Sequence, residues 1–172
     1  EITLDAFPTP EDLFARYQSE INNGQGLSDA EFNLINQPYY TSQSTYPPRY
    51  YQQVAVNRTM EAIAKGQQRI LLVMATGTGK TYTAFQIVYR LLQSGMKQKI
   101  LYLADRNNLV DQTISGDFKP LEKVIHKINF AKDDRTTITS HQVYFSLYQQ
   151  LVWNKTTEEE TDEETLAHYK QL

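Results

Sequence analysis

Apolar positions along the chain change period several times, and each change predicts an element. Residues 9–17 open with Thr9 as a helix N-cap, Pro10 at the first helical position and Glu11 and Asp12 in the first turn. Leu13, Phe14 and Tyr17 then share a face. From Asn22 to Pro48 the periodicity fades into Asn, Gln, Ser, Gly, Pro and Tyr, which predicts an irregular connector. Its tyrosines, Tyr39, Tyr40 and Tyr46, are expected to pack on the domain surface. After Pro47-Pro48, the apolar residues Val54, Ala55, Ala62 and Ile63 predict a helix that stops at Gly66. The run Ile70-Leu71-Leu72-Val73-Met74 reads as a strand buried on both faces of a sheet. A glycine turn and a helix with Ala84, Ile87, Val88, Leu91 and Leu92 on its apolar side follow, closed by Gly95.

Lys99–Ala104 predicts a second buried strand, and Asp105–Thr113 a loop and helix with Leu109 and Val110 toward the sheet. Val124–Ile128 and Thr136–Ser140 read as short strands, the latter for its β-branched residues. His141 to Leu151 reads as a helix with Val143, Leu147 and Leu151 on one stripe, and Trp153 is expected to cap that core. Thr156–Thr165 is an acidic loop, and Leu166–Lys170 starts a further helix. Strand–helix–strand units of this length specify an α/β fold with a parallel sheet and right-handed crossovers.

The order strand, Gly77-Thr78-Gly79, Lys80-Thr81, helix contains the parts of a phosphate-binding P-loop. Gly77 and Gly79 allow positive φ, so backbone N–H groups can converge on an oxygen. The helix start adds the positive end of its dipole. Lys80 supplies an ammonium for the β/γ-phosphates and Thr81 a hydroxyl for Mg²⁺. The chain departs from the general pattern at Met74, where a glycine is usual.

Composition narrows the field only slightly. At 172 residues, 40 % hydrophobic and 22 % charged, the chain has room for one ordinary core with a small appendage. It has no cysteine, which excludes disulfides and thiolate metal sites. His126, His141 and His168 lack ligand spacing, and no run approaches the ~18 apolar residues of a membrane span. The start at Glu1, without a signal peptide, suggests a fragment or a processed chain. Net charge is −3, but six acidic residues fall between Glu158 and Glu164. Charge therefore neither demands nor excludes a nucleic-acid partner.

Four stretches occur in a telling order: Arg49-x-Tyr51-Gln52, Met74–Thr81, Leu103-Ala104-Asp105-Arg106 with Leu109 and Gln112, and Ile138-Thr139-Ser140-x-Gln142. They resemble the Gln motif and motifs I, Ia and Ib of superfamily 2 DNA motors. The second and third are most similar to the restriction (motor) subunit of type I restriction–modification enzymes. The resemblance covers about residues 47–152. It implies a RecA-like first helicase lobe, incomplete here, with residues 1–46 as a linker and 153–172 as the acidic loop and a helix start.

The resemblance also implies ATP and Mg²⁺ as cofactors, with Gln52 reading adenine and Arg49 packing on the base or sugar. Thr76, Gly77, Thr78, Gly79, Lys80 and Thr81 would hold the phosphates and Mg²⁺, Lys80 and Thr81 being the catalytic pair. Arg106 and Ser140 would hold the DNA backbone. Partners would be double-stranded DNA and the methyltransferase and specificity subunits, in a bacterial or archaeal cytoplasm.

A working ATPase of this kind also needs an Asp-Glu pair after an apolar strand. The pair Asp162-Glu163 follows Thr161 and three glutamates instead, so the chain reads as an inactive piece of a motor. Another superfamily 2 helicase, or a nucleotide-binding module without turnover, is the alternative.

Overall fold

The computed structural model describes residues 8–21, 27–43, 46–129, 132–133 and 139–153. The expected strand at 136–138, the acidic loop, the last helix start and the side chain of Trp153 lie outside the described residues.

Three described helices precede the helix that follows the glycine loop. Helix α1 spans Pro10–Ile21. Asp12 N donates to Thr9 Oγ1 and Thr9 N to Asp12 Oδ2, both at 3.1 Å, so the predicted cap forms. Helix α2, Asp29–Asn36, stands within the expected irregular connector. Its cap is a reciprocal Ser28–Glu31 box, a signal present in the sequence as Ser-x-x-Glu before Phe32, Leu34 and Ile35. Helix α3, Tyr50–Ala64, buries Gln52, Val56, Thr59, Met60 and Ala64, while Val54 faces out. Helix α4, Lys80–Gln93, follows the glycine loop. Leu34, Val56, Met60, Ala64 and Leu91 knit α2, α3 and α4 into one apolar cluster.

The sheet has the order β1-β3-β2, all parallel, with β1 at Ile100–Ala104, β2 at Ile125–Lys127 and β3 at Val143–Leu147. Helix α5, Asn107–Ser115, and a 3₁₀ turn, Lys119–Val124, lie between β1 and β2. Val110 of α5 is buried as expected, but Leu109 is exposed. The helix expected from His141 to Leu151 is instead strand β3, and only Tyr148–Trp153 is helical. The strand is central and covered on both faces, so it carries Val143, Tyr144 and Phe145 in succession without a two-residue alternation. Spacing of four between Val143, Leu147 and Leu151 imitates a helix stripe in such a run.

The expected strand at Ile70–Met74 is a second correction. It joins no ladder, and Leu71 and Val73 are 85 % and 87 % exposed. A strand needs a neighbour to take its N–H and C=O groups, and no described strand lies alongside these residues. β1, whose Leu101 and Leu103 are also exposed, ends the sheet with no described strand on its outer edge.

Aromatic rings fill the core between α4 and the sheet. Phe118 meets Phe85 at 5.5 Å, Tyr102 at 5.5 Å and Phe145 at 5.2 Å between centroids, each edge to face. Tyr40 of the connector adds its edge to Phe85 at 5.3 Å, whereas Tyr46, expected on the surface of the domain, is 90 % exposed. Because three rings and a backbone turn converge on Phe118, Phe118→Ala should cost about 3–5 kcal/mol of stability. A urea unfolding midpoint unchanged by this substitution would contradict the assigned core.

Candidate nucleotide-binding site

The glycine loop turns tightly because Thr78 Oγ1 and Thr78 N both reach Ala75 O, at 2.7 and 3.4 Å. Gly77 and Gly79 have φ of 78° and 80°, the left-handed region predicted for them. In α4 the first N–H to find a helical acceptor is that of Thr83, on Gly79 O at 2.9 Å. The amides of Lys80, Thr81 and Tyr82 thus open outward at the positive end of the helix. Lys80 Nζ folds over the loop onto Ala75 O and Met74 O, at 3.3 and 3.5 Å. Among the described residues nothing pairs with the Thr81 hydroxyl, and Thr76 is exposed on the same loop. Outward amides, an ammonium and a free hydroxyl around glycines form a donor set suited to a polyphosphate and its Mg²⁺.

Gln52 reaches this loop from α3. Its Nε2 donates to Thr78 O at 3.0 Å, and its Oε1 accepts from Arg49 N at 2.9 Å. Each amide atom keeps one further site, a lone pair on Oε1 and a hydrogen on Nε2. Tyr51, which the residue pattern did not assign to the site, also donates to Thr78 O, at 3.3 Å. Arg49 is exposed, with its guanidinium near the Tyr51 hydroxyl at 3.4 Å. Seven of the eight nucleotide-site candidates thus gather between α3 and α4, with Arg49 at their rim.

The two DNA candidates lie elsewhere. Arg106 caps the start of α5, exposed and 3.8 Å from Asp105. Ser140 is exposed before β3, its hydroxyl 2.9 Å from His141 Nδ1. The fold also stacks His126 on His141 at 5.0 Å, with Asp133 Oδ2 2.7 Å from His126 Nε2, a proximity that sequence spacing hid. No cluster of three metal-ligating side chains occurs among the described residues, and no described helix is long and apolar enough to cross a membrane.

Residues 45–171 match the family model described as type III restriction enzyme, res subunit. The chain belongs to that family. It is 47 % identical over 149 residues to the type I restriction enzyme EcoAI endonuclease subunit of Escherichia coli, covering 87 % of this chain and 17 % of that protein. The chain therefore spans under a fifth of the length of this relative. A fragment structure ascribed to an HsdR subunit of a type I restriction enzyme from Vibrio vulnificus YJ016 superposes with a TM-score of 0.65 at 31 % identity, over 89 % of this chain and 26 % of that one. The UvsW helicase of bacteriophage T4 shares the fold, with a TM-score of 0.54 at 22 % identity over 75 % of this chain and 46 % of its own. The three-stranded parallel sheet with its helices is an incomplete RecA-like lobe.

A Cβ on Gly79 would collide with the Gln52 amide nitrogen, and φ is positive there. Gly79→Ala should therefore lower stability by about 1–2 kcal/mol through left-handed strain, with further loss where Gln52 is displaced. Chemical denaturation checks this, and an unchanged midpoint would remove the strain argument.

Proposed function

We propose that this chain is the ATP-binding part of the DNA-translocating motor subunit of a type I restriction endonuclease. The observation that carries the reading is the convergence of the open α4 amides, Lys80 and the Gln52 amide on one glycine loop. In this reading the amides from Gly77 to Thr81 orient the phosphates. Lys80, now on the Ala75 and Met74 carbonyls, would hold the β/γ-phosphate oxygens, and the Thr81 hydroxyl would hold Mg²⁺. Gln52 offers its remaining lone pair and N–H to the N6 and N7 edge of adenine, with Arg49 over the base or sugar. Bound Mg–ATP supplies the phosphoanhydride whose hydrolysis drives movement. Lys80, and Thr81 through the Mg²⁺ it would hold, would stabilise negative charge on the phosphoryl oxygens.

Arg106 and Ser140 hold the phosphate backbone of double-stranded DNA, contacts that carry no sequence information and so suit a translocating motor. The whole enzyme would join methyltransferase and specificity subunits in the bacterial or archaeal cytoplasm. Its Mg²⁺-holding carboxylates and its nuclease would lie outside residues 47–152. The description of the family model favours one second reading, the motor subunit of a type III restriction enzyme.

Lys80→Ala in the assembled enzyme should reduce ATP-driven translocation and cleavage by about 10²–10³-fold, the usual cost of removing one electrostatic contact to the reacting group, with subunit assembly retained. Wild-type-like DNA translocation by this variant would reject the site assignment. The chain alone should release phosphate from ATP no faster than background. Steady turnover abolished by Lys80→Ala would place a metal carboxylate within it.

A further inference from the structure

The side of α4 that meets the connector carries three buried or half-buried polar side chains one turn apart, Tyr82, Gln86 and Arg90. A polar stripe inside an amphipathic helix is expensive unless its groups are satisfied. Here the connector's main chain satisfies most of them. Arg90, 2 % exposed and without a carboxylate partner among the described residues, donates to Ile35 O at 2.7 Å and Leu34 O at 3.4 Å. It also donates to Asn57 Oδ1 of α3 at 2.8 Å, an oxygen shared with the Tyr39 hydroxyl at 2.6 Å. Gln86, fully buried, grips both sides of one residue: its Oε1 accepts from Tyr40 N at 2.9 Å and its Nε2 donates to Tyr40 O at 3.1 Å. Tyr82 donates to Tyr46 O at 3.1 Å and accepts from Gln86 Nε2 at 2.9 Å. Burial pushes the Tyr82 hydroxyl above its usual pKa, so it remains a proton donor.

Residues 34–43 therefore run back along α4 from its C-terminal half as a strap held by its backbone, and the Tyr46 carbonyl meets the helix's first turn. Two residues on, Pro48 is buried and its carbonyl accepts from Gln53 Nε2 at 2.8 Å. The next N–H, that of Arg49, is the one that holds Gln52 Oε1. With the oxygen pinned there, Nε2 must turn to Thr78 O. The orientation of the amide matters for a purine. Adenine presents a donor at N6 beside the N7 acceptor, whereas guanine presents O6 and N7, both acceptors.

We propose that Tyr82, Gln86 and Arg90 are positioning residues for base selection: through the strap and Arg49 N they fix the Gln52 amide in the orientation that accepts adenine and rejects guanine. This rests on the reading of the loop as an ATP site. None of the three touches the nucleotide in this scheme, and they act on the base end of the site alone.

The test is competition binding of ATP, GTP and inorganic triphosphate to the whole subunit that carries this chain. Tyr82→Phe keeps the ring packing and removes only the hydroxyl, while Gln86→Met removes the amide at similar volume. Gln52→Ala serves as the marker for loss of base reading. Both strap variants should reduce the preference for ATP over GTP by roughly tenfold, the scale of one bidentate purine contact, with triphosphate affinity unchanged. A preference kept by both variants and lost in Gln52→Ala would overturn the positioning role and leave the ATP site standing. Triphosphate affinity that falls in step with ATP affinity would reduce the strap to scaffolding and overturn the proposal. A wild-type subunit with no preference between ATP and GTP would overturn both this inference and base reading by Gln52.

Discussion

The Thr78 carbonyl is the point on which the rest of this architecture hangs. It accepts from Gln52 Nε2 and from Tyr51 OH, and so fastens the start of α3 to the loop that opens α4. A loop with two left-handed glycines has many accessible conformations and little apolar surface of its own to hold it. Two donors on one of its carbonyls select a conformation from outside. The close approach of Gln52 to Gly79 is possible only because that residue has no side chain. Loop composition and α3 geometry are one constraint, imposed 26 residues apart.

Helix α4 extends this constraint in two directions. Phe85 and Val88 pack it against the sheet, in a cluster completed by Phe118 and Phe145. Tyr82, Gln86 and Arg90 tie its other side to the connector through main-chain carbonyls and one main-chain N–H. The first side is non-directional burial that tolerates repacking. The second is directional, and each bond fixes a register between helix and strap. The glycine loop thus lies at the head of a helix held tightly on both flanks, while the loop's preceding segment, Ile70–Met74, is held on neither edge by a described strand.

What was legible in the sequence follows the range of the interactions. Caps, glycine stops and the P-loop helix are local: Thr9, Gly66, Lys80 and Gly95 each act within a turn, and each was readable. The Ser28–Glu31 box was equally local and was obscured by the polar composition around it. Residues whose state depends on distant neighbours misled the pattern. Val143–Leu147 has the composition of either element until β1 and β2 flank it, and Ile70–Met74 has the composition of a strand without the neighbour that makes one. At the site, Gly77, Gly79, Lys80 and Gln52 carried recognisable chemistry. Gln86 and Arg90 did not, because their partners are backbone atoms some 50 residues away whose identity leaves no trace in side-chain pattern.

The strand order has a consequence for how the chain is made. β1 and β2 are consecutive in sequence but never touch, because β3 lies between them and is synthesised last. At roughly 5–20 residues per second on a ribosome, the interval from Ala104 to Val143 lasts about 2–8 s. Throughout it, β1 lacks the strand with which it pairs. Nascent α4 can cover one face of β1, but the ladder among the described strands cannot form before β3 has emerged, so these three strands join late and together.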